Sequence, residues 1–508
     1  MITIYNPNIS KYKDSALNAI QSGWISNHGE FIEKATELLK TTLNVKHTIL
    51  MSNGTCATHC LFLALKYKYP QIQKIYVPNN CYVAAWNCLL MEYDKTIIEV
   101  MKMDIDTWNI NTDFEYIKML DQNAAVLIVH NLGNIINVPR LKRIRPDIIF
   151  IEDNCEGFTG KYENIYSGTS ELCLCSSISF YGNKIITTGE GGAFITNDDD
   201  IYSYILKAYS QGMSSIKYLH DTHAYNYRMT NIEAAFLFDQ LNDFNNIVIN
   251  KQKIFDNYTN LLLYLIETNK ITLFKNEDDT ESACWIFSIR LINNNKTIQE
   301  IIEYFQRFNI DIRPFFYPIN KHVHLKDIDF DDIVPNILNK DIIMIPSSPS
   351  ITFEEQKYVV NIITNFVNDI DIIEINNSNI NLLVQFLSNP LPSTFRYFEK
   401  RNIDIIKNHI ITLLLIKEKE AIGYAHIDYD KDSNRYWFGI CILPSYHNKG
   451  YGNLLISNIL IKSKIKQISS IYLTVDNNNI YAVKLYLKHN FIVIKQNEKF
   501  TTMLLNIY

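Results

Sequence analysis

The chain is 508 residues long, more than one domain usually holds, so two or three domains are expected. Its 47% hydrophobic and 20% charged residues are an ordinary globular balance with ample material for a core. A net charge of −6 and a pI near 6.1 argue against non-specific binding to nucleic acid or acidic membranes. Nine cysteines are scattered with no CxxC pair and no His/Cys cluster at zinc spacing, so they read as reduced, mostly buried thiols, and no metal is expected. Residues 1–7 show neither a basic n-region nor an apolar h-region, and no apolar run approaches the roughly 18 residues of a membrane span. The expectation is a cytoplasmic protein with no membrane and no nucleic-acid partner.

In chain order, residues 10–45 read as helical segments around a break at 23–29. A short strand over 48–51 leads through Ser52, Asn53, Gly54 and Thr55 into a helix over 56–66. Gly-Thr at a helix N-terminus offers backbone N–H groups and the positive dipole end to an anion, and serves equally as a simple N-cap. Strands over 74–77, 97–101 and 125–129 follow, with Cys81 and Tyr82 at the start of a helix and His130 closing the last strand. The apolar run 148–151 ends in Glu152-Asp153. Further on, Ser179-Phe180-Tyr181-Gly182-Asn183-Lys184 runs into Thr187-Thr188-Gly189-Glu190-Gly191-Gly192, a single lysine before a Gly-rich turn. Strands alternating with helices imply parallel βαβ units with a site at the strand C-terminal ends.

A strand-end aspartate and a lone lysine before a Gly-rich turn are what pyridoxal phosphate (PLP) chemistry needs. The lysine holds the cofactor aldehyde as a Schiff base and later moves the proton, while the aspartate keeps the ring nitrogen protonated so that the ring acts as an electron sink. Taken singly, the lysine is a surface charge, the glycines a turn and the aspartate a helix cap.

Together the motifs resemble those of the sugar-nucleotide aminotransferases, the DegT type of fold-type-I PLP enzymes. The form Phe-Tyr-Gly-Asn-Lys with Thr-Thr-Gly-Glu-Gly-Gly is similar to the perosamine-synthase branch. The resemblance, which covers about 10–370, implies an α/β fold: a large, mixed, mostly parallel sheet domain over 1–249 and a small α+β domain over 250–372. It implies that Lys184 carries the cofactor and the proton and that Asp153 pairs with the ring nitrogen. Gly54, Thr55 and Ser179 would anchor the phosphate, Tyr82 would stack on the ring, and Glu156 would lie near the ring hydroxyl, where many relatives have Gln or His. Asn226-Tyr227-Arg228-Met229 resembles a segment that enters the neighbouring subunit's site, which implies a homodimer with Asn226 at the other subunit's PLP phosphate. In Arg313-Pro314-Phe315-Phe316-Tyr317-Pro318, Arg313 is a candidate substrate contact or part of a structural turn.

After the Asn-rich seam at 376–379 the pattern changes to a helix and then strands over 411–416, 421–428 and 436–443, a meander. The last strand leads through His447 to Gly450-Tyr451-Gly452 and an amphipathic helix. Such a loop offers backbone amides to a pyrophosphate, and the meander excludes a dinucleotide fold. A strand over 471–475 precedes Asn479-Ile480-Tyr481-Ala482-Val483-Lys484-Leu485-Tyr486, then Asn490-Phe491. These features resemble the GNAT acetyltransferases and imply a GNAT domain over 373–508. By that resemblance Gly450 and Gly452 bind acetyl-CoA, Asn479 contacts it, and Tyr486 is the general acid toward the departing thiolate. His447 stands where Gln or Arg is usual, and Asn490 where Gly is usual, though Asn tolerates a left-handed backbone. The general base stays open, with His426 and Asp428 on one strand of the sheet.

The resulting expectation is a bifunctional enzyme. PLP-dependent transfer of an amino group from glutamate to a nucleotide-linked 4-keto-6-deoxyhexose would be followed by acetyl-CoA-dependent N-acetylation, with tethering of the two steps raising the local concentration of intermediate. The alternatives are an aminotransferase joined to an acetyltransferase with an unrelated acceptor, a non-catalytic regulatory or docking protein, and a sugar-nucleotide dehydratase, for which a relative of this fold has His in place of the lysine.

Overall fold

The runs Ala125–Val129 and Ile149–Asp153 are buried along their whole length, as strands of a parallel sheet covered on both faces must be. They lie in the middle of a seven-stranded sheet in a computed structural model that describes residues 1–216, 218–328, 330–392, 395 and 409–507. The chain divides into two compact units, Met1–Val360 and Asn361–Tyr508.

In the first unit the strands are β1 (His47–Met51), β2 (Ile75–Pro78), β3 (Ile98–Met101), β4 (Ala125–Val129), β5 (Ile149–Asp153), β6 (Lys161–Tyr162), β7 (Ile165–Tyr166), β8 (Ser176–Ser179), β9 (Gly192–Thr196), β10 (Ile271–Thr272), β11 (Thr280–Glu281), β12 (Ser288–Leu291), β13 (Arg313–Pro314) and β14 (Ile342–Met344). The large sheet has the order β1-β9-β8-β5-β4-β2-β3, parallel from β8 to β3 and antiparallel where β9 meets β8 and β1. This is the mixed, mostly parallel sheet expected. A smaller antiparallel sheet, β10-β12-β14-β13, carries Arg313 on one edge. The long helix Phe244–Glu267, which the sequence reading did not isolate, supplies Ile254, Phe255, Tyr258, Leu262 and Leu265 to the core.

In the second unit the strands are β15 (Ile370–Glu374), β16 (His409–Lys417), β17 (Glu420–Asp430), β18 (Arg435–Ile442), β19 (Ser470–Asp476), β20 (Ile492–Gln496) and β21 (Phe500–Asn506), in the order β15-β16-β17-β18-β19-β21-β20. β15 to β18 form the antiparallel meander, and burial alternates along β21, as one covered face requires. β15 straddles position 372, where the sequence reading drew its boundary, and pairs with β16; the division between units falls within the helix Phe353–Val367. The expected span 373–508 includes 393–394, 396–408 and 508, which lie outside the described residues. No described helix is long and apolar enough to cross a membrane.

Lys251 is buried on the long helix and donates to the Ser347 carbonyl at 2.6 Å. Burial pulls its ammonium down to about 7 from the ordinary 10.5. Between those values the unfolded chain binds the proton that the native one has lost, so stability rises with pH across this window. Urea midpoints of the wild type should therefore climb between about pH 7 and pH 9, each unit contributing at most about 1.4 kcal/mol. Lys251→Met should flatten the climb, and equal slopes in the two proteins would refute this account.

Candidate active sites

In the first unit the sheet register brings distant residues together. Gly192 pairs with Met51 on one side and Ser179 on the other, and Asp153 pairs with Ser177. The turn after β1 therefore lies across β9 from the end of β8, with Asp153 one strand further. A Cβ on Gly54 would lie 2.6 Å from the Ser179 Cβ and 3.2 Å from the Cys155 Sγ, and one on Gly192 would lie 2.5 Å from the Asn53 carbonyl oxygen. Asn53 caps the helix Gly54–Lys68 by accepting from the Cys56 N–H, and the positive end of this 15-residue helix opens at Gly54 and the exposed Thr55. Ser179 is buried, its Oγ accepting from the Tyr181 N–H at 3.3 Å.

Asp153 accepts from the Cys155 N–H at 3.1 Å and from the Thr58 and Ser177 hydroxyls at 3.4 and 3.5 Å. Lys184 follows in the turn between β8 and β9, its carbonyl accepting from the Tyr5 hydroxyl. Its side chain is 13% exposed, with Nζ 4.0 Å from Glu156 Oε1 and 3.8 Å above the centre of the Trp285 ring. Trp285 donates its indole N–H to the Asn183 carbonyl at 2.8 Å, so the residue beside the lysine fixes the ring over it. Sequence reasoning missed Trp285, because nothing local marks a tryptophan about a hundred positions downstream.

Glu156 accepts from the Leu132 N–H at 2.8 Å. Burial pushes its carboxyl up to about 7, with Lys184 opposing part of that rise. His130 belongs to the scaffold: its Nδ1 accepts from the Ile136 N–H, so Nε2 carries the proton toward Glu152 at 2.9 Å.

The structure thus gathers Gly54, Asp153, Glu156, Ser179 and Lys184. Tyr82 is exposed, its ring edge-on to Phe316 at 6.2 Å. Asn226 is exposed and accepts from Arg228 Nε at 2.9 Å, and Arg313 is exposed on β13 opposite Met344. A half-buried amine facing a buried carboxyl, beside a helix N-terminus whose glycine leaves no room for a Cβ, fits a phosphate-bearing aldehyde cofactor such as PLP.

In the second unit β18 and β19 pair in parallel at Trp437 and Tyr472. Residues 438–442 and 474–476 beyond that pair line a cavity of about 1280 Å³, together with Gly450, Gly452, Asn479 and Tyr486. Gly450, at φ 84°, precedes the helix Tyr451–Ile465, and a Cβ on Gly452 would lie 2.9 Å from the Leu485 side chain. Asn479 caps the helix Ile480–Lys488 by accepting from the Ala482 N–H at 3.2 Å. Tyr486 is buried against Phe438 and Phe491, and burial pushes its hydroxyl well above the usual range, so it stays a proton donor at neutral pH. His447 hydrogen-bonds to the Ile442 carbonyl at 2.8 Å. Asn490 takes the left-handed φ of 63° that its replacement of glycine calls for.

Glu156 gives a test of the first cluster. Its folded value lies above the ordinary 4.5, so the native state binds the extra proton and stability falls as pH rises from about 4.5 through about 7. Glu156→Gln should remove that fall, up to roughly 3 kcal/mol at about 1.4 kcal/mol per unit. Chemical denaturation of the cofactor-free protein at about pH 5 and pH 8 measures it, and an unchanged pH dependence in the variant would count against a buried, proton-holding Glu156. Gly54→Val should abolish saturable PLP binding in a fluorescence titration, since a branched side chain would fill the cradle.

Residues 8–364 match the DegT/DnrJ/EryC1/StrS aminotransferase family, and residues 380–491 match the acetyltransferase (GNAT) family. A GDP-perosamine synthase of Escherichia coli O157:H7 is 30% identical over 376 residues, spanning 72% of this chain and 99% of its own. A GDP-4-keto-6-deoxy-D-mannose 3-dehydratase of Escherichia coli O55:H7 is 32% identical over 208 residues, 39% of this chain and 52% of its own. Among solved structures, an E. coli GDP-4-keto-6-deoxy-D-mannose-3-dehydratase with bound hydrated PLP has a TM-score of 0.63 at 20% identity, covering 71% of this chain and 99% of that one. The Helicobacter pylori aminotransferase involved in the biosynthesis of pseudoaminic acid has a TM-score of 0.63 at 19% identity, covering 70% of this chain and 95% of that one; at such identities these two likenesses speak for the fold. The chain belongs to the DegT/DnrJ/EryC1/StrS aminotransferase family: it is a PLP-dependent sugar aminotransferase carrying a C-terminal acetyltransferase domain of the GNAT family, which uses acetyl-CoA.

Proposed function

We propose that the protein aminates a nucleotide-linked 4-keto-6-deoxyhexose, with glutamate as donor, and then N-acetylates the new amine. The observation that carries the first step is the half-buried Lys184 amine between the Trp285 face and the Glu156 carboxyl. Bound PLP supplies the electron sink. Lys184 would hold the cofactor through Nζ and would take up and return the proton at that atom. Asp153 supplies the fixed negative charge for the ring nitrogen, held by its three donors. Gly54, Thr55 and Ser179 take the phosphate, Tyr82 covers the ring, and Glu156 meets the ring hydroxyl. Asn226 completes the phosphate site of a second subunit in a homodimer, and Arg313 contacts substrate.

The choice of sugar is supported by the GDP-perosamine synthases among the relatives. The second step is supported by a cavity that joins the Gly450–Gly452 turn, Asn479 and the buried Tyr486 hydroxyl. Gly450 and Gly452 present backbone to acetyl-CoA, Asn479 contacts it, and Tyr486 protonates the departing thiolate. Both co-substrates are soluble metabolites, in keeping with a cytoplasmic enzyme.

Mass spectrometry of products from the full-length protein with PLP, glutamate and a panel of nucleotide 4-keto-6-deoxy sugars tests this. An amino sugar should form first, and gain one acetyl group when acetyl-CoA is added. Lys184→Ala should lose amination and still acetylate a supplied amino sugar, whereas Tyr486→Phe should aminate normally and acetylate about 10- to 100-fold more slowly. Absence of amination with every sugar would overturn the first assignment. The 3-dehydratase among the relatives sets the competing outcome: a product that has lost a ring hydroxyl in place of gaining an amine.

A further inference from the structure

One cluster of titratable groups stands outside the roles given so far. On β17, His426 and Asp428 are two residues apart and so point to the same face of the sheet. On β16, His409 is in register with Asp428. The carboxylate lies between the two imidazoles, its Oδ1 2.9 Å from His409 Nε2 and its Oδ2 3.4 Å from His426 Nε2. The two rings stack, 4.5 Å apart and 8° from parallel. Behind them, His409 Nδ1 is 2.9 Å from the Thr412 hydroxyl. His426 and Asp428 line the cavity shared by Gly450, Asn479 and Tyr486.

Two histidines and a carboxylate this close invite a metal, since their ligand atoms fall within 4.8 Å of one another. The ring geometry argues otherwise. An ion bound through Nε2 lies in the plane of its imidazole, and two stacked, nearly parallel planes share no such point. Close approach of the carboxylate to both imidazoles accounts for the arrangement instead. Burial works to raise the Asp428 carboxyl, but the neighbouring His409 and His426 imidazoles outweigh it and hold it below the usual carboxylate range. Asp428 is thus a carboxylate held between the two rings.

The neighbouring strand is shaped to this ring. Gly439 of β18 is in register with His426, and a Cβ there would lie 2.2 Å from His426 Cε1. A side chain at 439 would drive the imidazole out of its place.

We propose that His426 is the proton acceptor for acetyl transfer to an amine, positioned by Asp428 and, through it, by His409, with Gly439 leaving the space for its ring. This rests on the reading of the second unit as an amine acetyltransferase. As the amine nitrogen bonds to the acetyl carbon, its proton passes to His426. The carbon–sulfur bond then breaks, Tyr486 protonates the thiolate, and solvent carries the proton from His426 back to Tyr486. The sum is amine plus acetyl-CoA giving amide plus CoA thiol, with no other reactant.

The test uses the full-length protein, acetyl-CoA and a panel of amines, the amino-sugar nucleotide alongside amino sugars, polyamines and a peptide α-amine, with thiol release as readout. Whichever amine is accepted serves, so turnover of an unrelated amine alone would sink the amino-sugar assignment while still measuring His426. His426→Ala should lower kcat about 100-fold or more, with KM for acetyl-CoA within about twofold, and added imidazole should restore a good part of the rate. Asp428→Asn and Gly439→Ala should lower kcat about 10-fold, and amination should be unaffected in all three. A His426→Ala enzyme with wild-type kcat would overturn the proposal. So would a loss that imidazole does not relieve and that comes with lost acetyl-CoA binding, or acetylation of none of the amines.

Discussion

The aminotransferase site depends on one constraint, the double pairing of Gly192. Because this residue meets Met51 on one strand and Ser179 on another, the turn that opens the helix Gly54–Lys68 is set against the end of β8. A side chain at 192 would collide with the Asn53 carbonyl, and one at 54 with Ser179, so backbone approaches backbone where the phosphate site is proposed. The parallel pairing of β5 with β8 then carries Asp153 into the same neighbourhood. Sheet register, more than any single hydrogen bond, decides that residues from four parts of the chain converge.

Within that frame Lys184 sits among groups that pull against one another. Its amine lies over an aromatic face and near a buried carboxyl that burial drives toward the protonated form. A lysine held this way keeps little hydration and has few competing partners, which suits a group that must exchange protons with other atoms. His130, Glu152 and Tyr162 form one buried network behind β5, so the strand end bearing Asp153 is rigid.

The second unit reaches a site by the opposite device, a gap in pairing. β18 and β19 meet at Trp437 and Tyr472, and the residues past that point line a cavity and pair with nothing across it. Loose pairing opens the space, two helix starts at Gly450 and Asn479 face it, and a hydroxyl and an imidazole–carboxylate cluster supply polar groups to its walls.

Local signals sufficed for much of this. The lysine before the Gly-rich turn, the strand-end aspartate, the alternation of strands and helices, the meander and the Gly-x-Gly turn are read within short windows, because turn chemistry and burial pattern are local properties. The order of the sheet strands, β9 between β1 and β8, is set by long-range pairing and has no such signature. For the same reason Trp285 over Lys184, β15 joined to the second sheet, and His409 stacked on His426 emerge with the fold alone. The sequence by itself determined which residues could do the chemistry, through residue type and local spacing. The tertiary structure decided which of them meet and how far each is taken out of water, because contact and desolvation depend on packing between segments far apart in the chain.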